Sequence, residues 1–159
     1  MFPVPSRSAI YQAEYRAACD VNEAKFGRRL TRQCWHICGK IREADQLLQT
    51  LRPLRERLFE SHPEIVFSRL SEGTVQHRKK TPEGIQQRLG VLEARLDCAG
   101  DFYEQAMAAY PRRLLARDDI LDAMVLSLLG SLRLEQLTDG TDESGIPIRM
   151  TLPVTDTLK

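Results

Sequence analysis

Net charge is what this sequence lacks first. Its 23 Lys and Arg are offset by 22 Asp and Glu, leaving +1. No global field therefore advertises a nucleic-acid or membrane partner, and any basic surface must be local. Long apolar runs are missing too. The stretch Ile120 to Leu129 is interrupted by Asp122 and falls far short of the roughly 20 residues a membrane helix needs. The start, with Pro3 and Pro5, does not have the basic-then-apolar order of a signal peptide. Cysteines number four (Cys19, Cys34, Cys38, Cys98) and follow no disulfide-framework spacing, so reduced thiols in a cytoplasmic protein are expected. A phosphate-binding glycine loop, a serine elbow and a nucleotide fingerprint are all absent. Internal repeats and low-complexity segments are absent as well.

What remains has ordinary globular composition, 42% hydrophobic and 28% charged, which argues against disorder. The 159 residues read as a single domain, 1–159, long enough to bury a core. Met1 to Pro5 reads as extended. Ser6 is placed to cap a helix running to Phe26, with Ile10, Ala17, Val21 and Ala24 as a partial apolar stripe and Gly27 at the stop. Thr31 caps a second helix through about Leu51, on which Cys34, Cys38, Ile41 and Leu48 share a face. A strand is expected from Arg55 to Ser61. Ser61 and Glu64 match a capping box opening a short helix at His62-Pro63 that runs to about Leu70. Gly73 marks a turn. Thr81-Pro82-Glu83 opens a further helix, with Ile85, Leu89, Leu92 and Leu96 on its inner face. Asp101 and Glu104 repeat the capping-box pattern before Pro111. Asp118 or Asp119 caps a buried last helix extending to about Leu137, and an edge strand follows from Ile146 to Leu152. One good strand and one weak one among five or six helices leave strand pairing short, so a dimer or missing strands would have to complete the sheet.

Three groups of residues carry chemistry. Glu60, His62 and Glu64 gather two carboxylates and an imidazole at the end of the expected strand, a pattern suited to a metal or a phosphate. Asp119 and Asp122 lie three apart on the last helix. Asp122 enters an apolar run, where a carboxylate must be exposed, paired or metal-bound because burying it alone is costly. His77-Arg78-Lys79-Lys80 stands just before a helix start, the wrong sign for the helix dipole, so a bound anion is the expectation. By contrast, Cys34 and Cys38, one helical turn apart without a second ligand pair, read as small apolar residues of a stripe and not as zinc ligands.

Six segments in order then resemble one family: Phe2-Pro3-Val4-Pro5-Ser6-Arg7, Leu30-Thr31-Arg32-Gln33-Cys34-Trp35, Lys40-Ile41-Arg42-Glu43-Ala44-Asp45, Glu60-Ser61-His62-Pro63-Glu64, Lys79-Lys80-Thr81-Pro82-Glu83-Gly84 and Asp118-Asp119-Ile120-Leu121-Asp122-Ala123. The sequence is similar to the domain of unknown function 429 family, a group of predicted nucleases with an RNase H-like fold. The resemblance implies a helix-rich α/β fold, a partial RNase H-like fold lacking its first strands. It implies magnesium or manganese between carboxylates, with Glu60 as the central-strand acid and Asp119 and Asp122 as the last-helix acids. His62 and Glu64 resemble additions of the family beside them, and Arg78, Lys79 and Lys80 would contact nucleic-acid phosphates. Relatives carry further strands and a first-strand aspartate before the point where this sequence begins, so impaired hydrolysis is the corresponding expectation. The alternative is a non-catalytic interaction module forming a homodimer, or completed by another chain, through an exposed sheet edge.

Overall fold

The computed structural model describes residues 4–71 and 75–154, and the turn expected at Gly73 lies outside them. The chain divides into two units, one of the residues up to Leu58 with Glu143–Ile146, the other of Phe59–Asp142 with those from Pro147 onward.

The first unit is helical: α1 (Arg7–Ile10), α2 (Tyr15–Phe26) and α3 (Arg32–Thr50), followed by a 3-10 turn, Arg52–Glu56. The Ser6 hydroxyl accepts from Ala9 N and the Thr31 hydroxyl from Cys34 N, so both expected caps form. Gly27 closes α2 at φ 68°, a left-handed geometry that a side chain resists. The single helix expected from Ser6 to Phe26 is broken after Ile10. No proline or glycine causes the break. Tyr11 is turned instead onto Asp45 of α3, its hydroxyl donating to Oδ2 at 2.7 Å. The buried face of α2 also differs from the expected stripe: Ala18, Cys19 and Asn22 face inward while Ala24 is exposed. A polar residue is admitted because it is fully used. Asn22 Oδ1 accepts from Ser6 N at 2.7 Å and Nδ2 donates to Arg28 O at 2.8 Å.

Cys34 and Cys38 lie in this core with Ala9, Ile10, Ala18, Cys19 and Leu30, as apolar thiols of the stripe. Burial pushes the Cys38 thiol up to about 11, which keeps it protonated and unreactive at neutral pH. Asp45 joins the same face. Arg7 meets its Oδ1 through Nε at 2.9 Å and Nη2 at 2.7 Å, and Gln49 donates to Oδ2 at 2.7 Å. Burial alone would raise the Asp45 carboxyl, but the bonds from Arg7, Tyr11 and Gln49 outweigh it and hold the group below its ordinary range. A depressed carboxylate stabilises the fold above its unfolded pKa and loses that contribution as pH falls through the folded value. Asp45→Asn is therefore expected to cost about 2 kcal/mol at pH 7. In urea titrations at several pH values, its gap from wild type should close below about pH 4. A gap constant with pH would remove the charge from the account.

The second unit is built on α7 (Arg117–Leu128), which packs against α4 (Pro63–Leu70), α5 (Pro82–Glu93) and α6 (Ala99–Ala109). Ile120, Leu121, Met124, Val125 and Leu128 of α7 form one core with Val66, Phe67 and Leu70 of α4, Leu92 of α5, Tyr103 of α6, and Leu152. This is the buried helix that its apolar composition predicts. It ends nine residues earlier than expected. A 3-10 turn, Leu129–Ser131, leads into β1 (Leu134–Gln136), which pairs antiparallel with β2 (Thr151–Pro153). The fold is helix-rich with a small two-stranded antiparallel sheet.

The expected strand Arg55–Ser61 does not form. Its first residues belong to the 3-10 turn that Pro53 opens, and only Glu60 makes a single parallel bridge, to Met150. The strand expected over Ile146–Leu152 is reduced to β2 at its end, with an isolated Thr141–Pro147 bridge before it. Capping also departs from expectation in three places. His62, Cys98 and Ala116 stand at the N-caps of α4, α6 and α7, and none makes a side-chain cap bond. Ser61 donates its hydroxyl to Thr151 O at 2.7 Å instead. Asp101, Asp118 and Asp119 sit inside first turns, where a negative charge still suits the helix dipole. Among the described residues no helix is long and apolar enough to cross a membrane.

Candidate functional site

The site lies where the segment before α5 meets α7. Thr81 caps α5 by accepting from Gly84 N at 3.1 Å. Ahead of it, Arg78 O accepts from Thr81 N at 3.0 Å and from the Thr81 hydroxyl at 3.1 Å. Gln87 Oε1 accepts from the backbone N–H of Gln76 and of His77, at 3.1 and 3.2 Å. Arg88, its side chain only 3% exposed, ties the rest together. Its Nε and Nη2 meet Glu64 Oε1 and Oε2 at 3.0 and 2.5 Å. Its Nη1 donates to His77 O at 3.1 Å and to Gly84 O at 2.9 Å. The guanidinium also lies 5.7 Å from the centre of the Phe67 ring.

Held this way, the segment delivers Lys79 to α7. The ammonium lies 2.9 Å from Asp122 Oδ2 and 3.2 Å from Asp118 Oδ2. The bonds that Lys79 donates to Asp122 and Asp118 outweigh burial and raise the Lys79 pKa, so the ammonium stays charged. Asp118 is buried and Asp122 half-buried. The second oxygen of Asp122, Oδ1, is buried and has no hydrogen-bond partner. A buried carboxylate oxygen left without a donor is costly, of the order of 1–3 kcal/mol.

The sequence-derived candidates separate accordingly. Asp122 and Lys79 come together, and Asp118, expected only as a cap, joins them one turn before Asp122. Asp119 is exposed. Glu64 is engaged by Arg88 in an ion pair that fastens α4 to α5. Glu60 and His62 are exposed, and the backbone of Glu60 is pinned by Glu60 N to Arg149 O at 2.9 Å and Thr151 N to Glu60 O at 2.8 Å. Arg78 is exposed. Lys80 is exposed and lines a cavity of about 340 Å³ together with Pro82, Ile85, Arg112, Ala116, Arg117 and Asp118. Among the described residues no group of three or more His, Cys, Asp or Glu is placed to hold a metal ion.

Two features of the site were not expected from sequence. Arg88 sits in the Ile85–Leu89–Leu92 stripe and looks like a surface residue, yet it is more buried than Ile85 or Leu89. The signal was its spacing of four from Gly84, whose missing side chain leaves room for the guanidinium. Asp118 was legible as the partner of Asp122 from the i, i+4 spacing alone, had the cap reading not claimed it.

The second unit is thus a helix-rich domain presenting a lysine-bridged pair of aspartates on its central helix. A family model described as "Protein of unknown function (DUF429)" matches residues 1–139, and the chain belongs to that family. No curated protein and no solved structure matches the chain.

Proposed function

We propose that the Lys79–Asp118–Asp122 site belongs to a divalent-metal-dependent phosphodiesterase of RNase H-like type acting on nucleic acid. The observation that carries this reading is the orphaned Asp122 Oδ1, a buried carboxylate oxygen beside a second carboxylate. The donor chemistry fits a hard cation such as magnesium or manganese, which takes oxygen ligands. Asp122 and Asp118 would hold it, with Glu60 and Asp119 retained as further acids on the strength of the sequence resemblance. When bound, such an ion polarises a phosphoryl oxygen and lowers the pKa of water. The chain's own residues supply the rest: α7 fixes two carboxylates on one face, and Lys79, once the metal displaces it from them, would offer its ammonium to a phosphate oxygen. A cytoplasmic setting accords with the four free thiols.

Calorimetric titration with manganese tests the site. Wild type is expected to take up the metal, Asp122→Asn to lose at least tenfold in affinity, and Lys79→Met, which removes the competing ammonium, to bind several-fold more tightly. Hydrolysis of a chromogenic phosphodiester should fall with Asp122→Asn in parallel. Uptake equal in wild type and Asp122→Asn would end the metal reading.

A further inference from the structure

Beside the acid pair lie two cavities that share a wall. The first, of about 340 Å³, is lined by Lys80, Arg112 and Arg117 together with Pro82, Ile85 and Asp118. The second, of about 280 Å³, is lined by Glu104, Met107, Tyr110, Leu115 and Ile120. Arg112 and Arg117 border both. Neither arginine nor Lys80 makes an ion pair with a carboxylate among the described residues, whereas Asp118 has its charge met by Lys79. The first cavity is therefore net positive, and the second joins its two shared arginines to the Tyr110 ring and the side chains of Met107, Leu115 and Ile120. Tyr110 is 56% exposed, so its ring is open to a flat partner stacked on it. α7 also begins at this point, with Ala116 in the first cavity and no side-chain cap on its N-terminus, which adds to the field there.

Cations that track a phosphate chain, alternating with an aromatic face for a base, are how proteins hold unpaired strands. A duplex offers its phosphates on the outside and keeps its bases stacked away from such a ring. We propose that this double cavity binds single-stranded nucleic acid, with a backbone phosphate on Arg112, Arg117 and Lys80 and the neighbouring base against Tyr110. The strand would then pass directly over Asp118 toward Asp122. The inference rests on the phosphodiesterase reading for the kind of ligand and deepens it by assigning the single strand as substrate. The strand contact itself needs no metal.

The test uses fluorescence anisotropy of a labelled ten-nucleotide oligothymidylate with EDTA present, so that binding is read apart from cleavage. Arg112→Ala/Arg117→Ala is expected to weaken binding at least tenfold and to flatten the dependence of log Kd on log salt by about 1.4, two single-strand phosphate contacts. Tyr110→Ala should weaken the oligonucleotide about tenfold but leave binding of inorganic tripolyphosphate unchanged. Arg52→Ala/Arg57→Ala, which removes two exposed arginines of the first unit, should change neither. Thermal melts establish that each variant is folded. An unchanged affinity and salt slope in the double arginine variant would overturn the proposal, as would equal or tighter binding of a duplex through the same residues. The two readings fail separately. Strand binding that persists while manganese uptake ignores Asp122→Asn sinks the metal site alone, and the reverse pattern sinks the groove alone.

Discussion

Arg88→Ala is expected to destabilise the chain by about 3–4 kcal/mol, read as a shift in the urea midpoint followed by circular dichroism. The charge pair is not the main source. The Glu64 side chain is 35% exposed and can be rehydrated once its partner is gone, while the arginine side chain is 3% exposed. What is lost is the donor to two carbonyls, His77 O and Gly84 O, and the packing of the guanidinium over Phe67. Loss of the tie to the His77 carbonyl and a new cavity act in the same direction. Arg88→Lys should recover less than half of the loss, because an ammonium cannot reach Glu64 bidentately and the two carbonyls together. A cost under 1 kcal/mol for the alanine variant would mean that the segment before α5 is held by something other than this side chain.

Gly84→Ala should act against the ordinary rule that alanine favours a helix. A Cβ built at Gly84 would stand 2.0 Å from Arg78 O and 2.7 Å from Arg78 C, both backbone atoms. They cannot step aside without moving the segment that carries Lys79. A loss of about 2–3 kcal/mol is expected. Gly90, in the same helix, has nothing within 4 Å of its Cβ position, so Gly90→Ala should gain about 0.5–1 kcal/mol. The opposite signs within one helix separate the steric effect from propensity. Thermal melts of the two variants decide it, and two stabilised proteins would refute the close approach.

The parts of the fold legible in the sequence are those governed by local chemistry. Ser6, Thr31 and Thr81 cap helices because their hydroxyls reach an amide three residues on, a pattern written in consecutive residues. The break after Ile10 was hidden, because Gln12, Ala13 and Glu14 contain no breaker and the cause, Asp45, lies 34 residues from Tyr11. The end of α7 was hidden likewise. The apolar run continues through Leu132 and Leu134, and only pairing with β2 makes Leu134–Gln136 a strand. At the site, Asp122 was legible as a carboxylate that burial would not tolerate alone. That its partner would be Lys79, 43 residues away, was not, because basic residues before a helix read most simply as an anion seat. Glu64 shows the converse. Its neighbours Glu60 and His62 made it look chemical, and the ion pair it makes with Arg88, 24 residues on, was not legible.

The manner in which residues 76–81 are fastened has a consequence for how this surface can change. The side chains of Gln87, Arg88 and Thr81 grip main-chain amides and carbonyls, leaving the side chains of Gln76, His77, Arg78 and Lys80 out of the fastening. The geometry of the turn is thus encoded in the helix that follows it. New reactive groups could be exchanged into the turn one at a time while its path over the aspartates stayed where it is.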